Sequence, residues 1–291
     1  MVQVKYSPSK FIASKLKSIC PKKGTEYFAL IGFIIILSII LMAIFAPFIA
    51  PYNPIKKVGG ILEEPNGRFI LGTDGLGRDI FSRIIFGART AISVTFLAVI
   101  ISLSFGVLLG LLSGYIGGKF DSIFSLVMDA IYSFPGLILA IVLAAMLGPG
   151  ILNTAIAIAV IYTPTYFRMV RGLVLSLKES LFVEAARAIG AKDRTIVFKY
   201  IFPNVISSVP IVLSLNAADA VLTLAALSFL GLGLPAPTPD WGFDLKAGHA
   251  YLASKIWWPS TFPGLMIVIL TLGFSLLGEG INEILTPELR R

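Results

Sequence analysis

The sequence predicts an all-α integral membrane protein with six transmembrane helices and both termini in the cytoplasm. Three observations carry that prediction. Of 291 residues, 56% are hydrophobic and only 14% charged, where soluble domains carry about 25% charged residues. Five long stretches hold at most one charge each, and a helix needs about 20 apolar residues to cross about 30 Å of hydrocarbon. The basic excess, 24 Lys and Arg against 16 Asp and Glu, gathers mainly in two segments that fall on the same side of a six-span chain.

The elements follow in chain order. Segment 1–27 carries Lys5, Lys10, Lys15, Lys17, Lys22 and Lys23 against Glu26, with Phe11, Ile12, Leu16 and Ile19 on one side. It reads as a cytoplasmic stretch facing lipid headgroups. Phe28 to Ile55 is uncharged and gives a first span at 28–50. Its apolar run exceeds the roughly 7–15 residues of a signal-peptide core, so it reads as retained. The 51–89 segment has six basic and four acidic residues and is expected outside the membrane. Thr90 to Gly118 supplies a second span at 90–114. Gly106, Gly110 and Gly114 recur there every four positions, which permits close packing on a neighbour. Ser122 to Phe167 contains only Asp129 and is too long for one span. Gly148-Pro149-Gly150 divides it into spans at 122–147 and 151–171. Val205 to Pro239 contains only Asp219 and gives 204–230. Uncharged Ile256 to Gly278 gives 259–283, so 90–283 forms a five-helix core before a short cytoplasmic tail at 284–291.

The loop 172–203 is basic and cytoplasmic by this threading. Leu173, Leu177, Leu181 and Ala185 lie at spacings of four and predict one apolar helical stripe. Gly190 interrupts it, through either a left-handed backbone or a close helix approach. Asp193 offers an N-cap for a second helix through Tyr200, and Pro203 precedes the next span.

Glu184-Ala185-Ala186, three residues, Gly190, nine residues and Tyr200-Ile201-Phe202-Pro203 resemble the EAA motif of ABC importer permeases. Tyr200 and Phe202 depart from the usual Ile-x-Leu-Pro. The likeness extends over Leu71-Gly72-Thr73-Asp74-Gly75-Leu76-Gly77-Arg78-Asp79, Ser82-Arg83, Gly87-Ala88-Arg89, Ser133-Phe134-Pro135, Ala226 to Gly233, Pro239-Asp240-Trp241-Gly242 and Gly278-Glu279-Gly280. These runs are similar to the C-type permease branch of dipeptide, oligopeptide and nickel importers. The resemblance implies the type I ABC importer permease fold in a prokaryotic cell membrane. It also implies that Glu184, Ala185, Ala186, Gly190 and Pro203 couple this chain to an ATPase. The implied partners are a B-type permease subunit, two ATPase subunits holding ATP and magnesium, and an extracytoplasmic substrate-binding protein. Short peptides are the first substrate class, with oligosaccharides and nickel open. Members of the branch usually carry an acid where Leu224 stands; here Asp219 lies earlier on the helix. Ile281, Asn282 and Glu283 also replace a common Arg-Asp pattern.

Within the spans, Asp129 and Asp219 are acids expected to face a cavity or a protein partner. They read either as pathway groups or as interhelical hydrogen-bonding groups. Pro135, Pro164 and Pro210 are candidate breaks, the last two flanking the coupling loop. Trp241, Trp257 and Trp258 read as interface anchors, and His249 as a solvated loop residue. One cysteine, Cys20, excludes an intramolecular disulfide, and a single histidine excludes an imidazole cluster. No G-x-x-x-x-G-K-[ST] occurs, so ATP hydrolysis falls to another subunit. Gly75-Leu76-Gly77-Arg78-Asp79 lacks both the Lys-Ser/Thr of a P-loop and the last glycine of a dinucleotide loop. A structured turn leading into a surface helix is expected there instead. The polar residues offer no nucleophile and base pair, which argues against an enzyme, and the net charge reads as cytoplasmic loops rather than nucleic-acid binding. Two isolated acids and no visible repeat argue against an ion-driven transporter.

Overall fold

A computed structural model describes residues 26–285. The basic amino-terminal stretch with Cys20, and the tail after 285, lie outside the described residues. Among those described, every regular element is helical, apart from an isolated antiparallel bridge between Thr73 and Asp79. Helix α1 spans Glu26–Ile44, and a turn at Phe45 leads into the short α2, Ala46–Ile49, with Pro47 in its first turn. After the 50–79 loop comes α3, Ile80–Ile116. Helices α4, Gly118–Ser133, and α5, Gly136–Leu147, precede α6, Ile151–Lys178.

Next come α7, Leu181–Ala188, and α8, Asp193–Thr195, followed by a π-helical turn at Ile196–Ile201 and α9, Phe202–Ile206. Helix α10 covers Val209–Leu230 and α11 covers Trp241–His249, and α12, Trp258–Leu285, ends the described chain. Helices α1, α3, α10 and α12 are long and apolar enough to cross a membrane, and the α4–α5 pair passes the same test as a bent unit. Helix α6 has 28 residues, but Thr163-Pro164-Thr165-Tyr166, Arg168 and Arg171 make it more polar than those four.

Two expectations need correction. Residues 80–89, expected in the outer loop, form the first turns of α3, so no separate surface helix precedes that span. Asp79 is the reason: its carboxylate accepts from Ser82 N at 2.8 Å and caps the helix at Ile80. Gly87 does not break the helix, because the Trp241 ring fills the space beside it. The second concerns 122–147, expected as one span with Pro135 as a candidate break. It is two helices at 96° to each other. Pro135 forces the bend, since the residue before a proline is driven from helical into extended backbone. Phe134 accordingly sits at φ −79°, ψ 142°.

The bundle has two distinct ends. At one, Trp241 Nε1 donates to Ile84 O at 2.9 Å and Trp258 Nε1 to Thr73 O at 3.3 Å. These tie the 51–79 loop, the start of α3, α11 and the start of α12 together. Trp241 and Trp258 are therefore buried, and only Trp257 is exposed as an interface anchor would be. At the other end, the last turns of α3 and α6 meet the 179–209 segment in one apolar cluster.

Between the ends, α3 lies on α6 along Gly106, Gly110 and Gly114. A Cβ at Gly110 would stand 2.7 Å from Phe167 O, and one at Gly114 would stand 2.8 Å from Val174 Cβ. The absence of side chains lets the two backbones approach, which buries Val170 and Val174.

Candidate functional site

Helix α6 ends at Lys178, and Glu179-Ser180 interrupt the chain before α7. The Ser180 carbonyl accepts from the amides of Val183 and Glu184 and so starts the new helix. Its hydroxyl turns back to Leu177 O at 2.5 Å. This break resets the helical phase. Leu173 and Leu177 pack on the cluster, whereas Leu181 is 82% exposed and Ala185 is exposed, so the predicted four-residue stripe does not continue. The buried face of α7 is Val183 and Ala186, which join Val107, Leu111, Val170, Val174, Ile196 and Ile201. The opposite edge leaves Leu181, Phe182 and Ile189 exposed and apolar, with Glu184 among them.

Gly190 closes α7 in a Schellman motif. Its amide donates to Arg187 O at 2.9 Å, Ala191 N donates to Ala186 O at 3.0 Å, and Gly190 sits at φ +81°. Nothing lies within 4 Å of where its Cβ would be, so left-handed backbone rather than close approach is its reason. Lys192, not Asp193, occupies the next N-cap. The Asp193 carboxylate instead accepts from the Tyr115 hydroxyl at 2.5 Å, fastening the segment to the end of α3. Pro203 falls in the first turn of α9, where a missing amide costs nothing.

The other expected residues are scattered along the bundle. Asp129 accepts from Arg168 Nη2 at 2.8 Å, and Arg168 also lies 4.1 Å over the Tyr132 ring. Two turns back on α4, Asp121 takes two bonds of 2.6 Å from Arg171. Helix α4 is thus held to α6 by two ion pairs. Pro135 makes the α4–α5 bend, and buried Pro164 sits inside α6. Pro210 occupies the first turn of α10 and so begins that helix rather than kinking it. Asp219 is exposed on α10, and its carbonyl accepts from Thr223. Thr223 in turn meets the Tyr162 hydroxyl at 2.8 Å. These residues do not converge on one site. His249 is exposed at the end of α11.

Sequence reasoning missed a buried charge network at the other end of the bundle. Arg83, 2% exposed, donates to Asp244 Oδ1 at 2.6 Å and also to the carbonyls of Pro54 and Pro237. Burial pushes the Asp244 carboxyl up to about 6 despite the opposing pull of Arg83. Asp240 is also raised by burial; it caps α11 through Gly242 N and Phe243 N and accepts from Ser228 at 2.8 Å. Arg78 donates to Asp74 at 2.6 Å. A 280 Å³ cavity opens beside Asp74, Arg78, Arg83 and Asp244. The only sequence signal was that Asp74, Arg78, Arg83 and Asp240 lie in the quoted family runs; Asp244 lies outside them.

A bundle of long apolar helices with an exposed apolar helix braced on its polar end has the build of a membrane-spanning transport subunit. Residues 106–291 match the binding-protein-dependent transport system inner membrane component family, and residues 27–61 match the N-terminal transmembrane domain of oligopeptide transport permease C. The dipeptide transport system permease protein DppC of Alkalihalophilus pseudofirmus is 41% identical, over 90% of this chain and 86% of that protein. The di/tripeptide transport system permease protein DppC of Pseudomonas aeruginosa is 37% identical, over 97% and 95%. The glutathione transport system permease protein GsiD of Pectobacterium atrosepticum is 36% identical, over 91% and 88%. The chain belongs to the family of binding-protein-dependent transport system inner membrane components, and it is a multi-pass membrane permease.

Proposed function

We propose that this chain is the C-type permease of an ABC importer for short peptides, with six spans, both termini cytoplasmic and 172–203 as its coupling loop. The observation that carries the reading is α7. Its inner face is locked to α3 and α6 through Val183 and Ala186, while Leu181, Phe182 and Ile189 stand out as an apolar edge for a partner. A push on that edge is passed to the ends of α3 and α6 through the apolar cluster and the Tyr115–Asp193 hydrogen bond. The partners are two ATPase subunits, which hold ATP and magnesium, a B-type permease completing the path, and an extracytoplasmic binding protein. This chain does no bond chemistry.

The six-span topology is supported by alternation of helix ends. Helix α1 starts where Ala29 meets Gly280 near the end of α12. It finishes where Arg89 donates to Ala43 O, at the end that carries the 51–79 loop. Helices α3 and α6 then run to the coupling end and α10 returns to Asp240. The dipeptide and di/tripeptide relatives support peptides as cargo.

Affinity purification of the tagged chain from native membranes tests the reading. A second permease and ATPases should co-elute with wild type, and Leu181→Asp/Ile189→Asp should lose the ATPases while keeping the second permease. ATPases retained at wild-type yield in that variant would overturn α7 as the docking element.

A further inference from the structure

The turn at residues 72–79 does more than start α3, because it lines the 280 Å³ cavity with an arginine whose donors are not used up. Arg78 is 6% exposed and commits only Nε, to Asp74 at 2.6 Å. Its two Nη groups have no acceptor among the described residues. The other charges on the wall are already engaged. Arg83 holds Asp244 and two main-chain carbonyls, and Asp74 also takes the amides of Leu76 and Arg78. The rest of the wall is largely apolar, with Ile80, Phe243, Pro259 and Pro263 inside and Leu76, 62% exposed, at the rim.

The Arg78 side chain lines the cavity, so its Nη donors are open to a ligand there. Its planar pair of Nη donors matches two oxygens of a carboxylate or a phosphate, and the small, largely apolar wall favours the singly charged carboxylate on an apolar body. The volume admits one apolar residue, not a folded segment. We infer that this cavity is a binding site for a carboxylate on a small apolar body, received by the Nη donors of Arg78 with the apolar part against Ile80 and Phe243. In an importer of the kind proposed above, that ligand is the carboxyl-terminal residue of a short peptide arriving from outside. The inference rests on that reading for its orientation and its cargo, and on the cavity itself for its chemistry.

The test uses the full assembly in membrane vesicles, with Leu76→Cys placed in a Cys20→Ser background so that the rim carries the chain's only cysteine. Labelling by a membrane-impermeant maleimide is timed with N-acetyl-leucine and with N-acetyl-leucinamide, which lacks the carboxylate. In right-side-out vesicles the acid should slow labelling about tenfold at about 10 mM if the Kd is about 1 mM. The amide should not slow it, and Arg78→Gln should abolish the protection. Equal effects of acid and amide on the unaltered Arg78 background would overturn the site without depending on how any Arg78 variant folds. Protection that survives Arg78→Gln would also overturn it. Labelling only in inside-out vesicles would overturn the proposed orientation; acid-specific protection measured there would still uphold the cavity's chemistry.

Discussion

Arg83 and Asp244 stand 161 positions apart in the chain and meet at 2.6 Å, both buried, clamping the start of α3 to α11. Breaking such a pair from one side strands a charge in low dielectric and costs about 3–5 kcal/mol, whereas removing both partners costs much less. Arg83→Met and Asp244→Leu should each lower the thermal midpoint of the purified assembly sharply, and the double variant should recover most of the loss. Strictly additive losses would show that the two side chains are not coupled.

The same carboxyl gives a pH dependence with a definite sign. Asp244 titrates at about 6 in the folded chain against a reference of 3.8. Between those values the folded state keeps a proton that the unfolded state has released. Its contribution therefore favours folding fully below about pH 3.8 and is lost as pH rises through about 6. Asp244→Asn should flatten the stability profile over pH 4–6; an unchanged slope there would mean that another group sets it.

Gly190 should tolerate asparagine better than alanine. A left-handed residue other than glycine or asparagine costs about 1–2 kcal/mol, and no neighbour lies within 4 Å of where the Cβ would be. Hydrogen exchange over 181–191 should quicken about tenfold in Gly190→Ala and less in Gly190→Asn. Equal protection in both would remove the backbone argument.

How much of this was legible in the sequence depended on how far apart the deciding residues lie. The helical runs were readable because uncharged stretches long enough for a bilayer have few other uses, and Gly106, Gly110 and Gly114 announced their close contact by spacing alone. Gly190 was readable as a break, though not as the C′ residue of a Schellman motif. The face of α7 was not readable: Leu177, Leu181 and Ala185 keep helical spacing across Glu179-Ser180, and only the chain break there rotates α7 to bury Val183 and Ala186. The Asp79 cap has a local signal in Asp79 and Ser82, but Arg83 and Arg89 make 80–89 too charged to read as the start of an apolar span. The Arg83–Asp244 clamp had no local signal, since neither residue's neighbours reveal a partner on another helix.

The glycine stripe can be tested by contrast. Gly110→Val places side-chain atoms against Phe167 O and Val170, both fixed in α6, and should separate α3 from α6 and abolish assembly. Gly172 lies on α6 with nothing within 4 Å. Gly172→Ala should be neutral or stabilise by up to about 1 kcal/mol through helix propensity. Equal yields of both assembled variants on size exclusion would refute close packing along the stripe.

Asp129 offers the sharpest division between a structural and a transport role. Its pair with Arg168 is open, the side chains being 60% and 46% exposed in the chain. Exposed pairs contribute about 0–1 kcal/mol, and the neighbouring Asp121–Arg171 fork already joins α4 to α6. Asp129→Asn should therefore leave the thermal midpoint of the assembly almost unchanged. If the pair serves only to join the helices, exchanging its charges as Asp129→Arg/Arg168→Asp preserves the contact and should preserve peptide uptake in cells. A swapped variant that assembles normally but loses uptake more than about tenfold, roughly 1.4 kcal/mol in rate terms, would give the pair a role in transport, since the order of the two charges would then matter beyond their attraction.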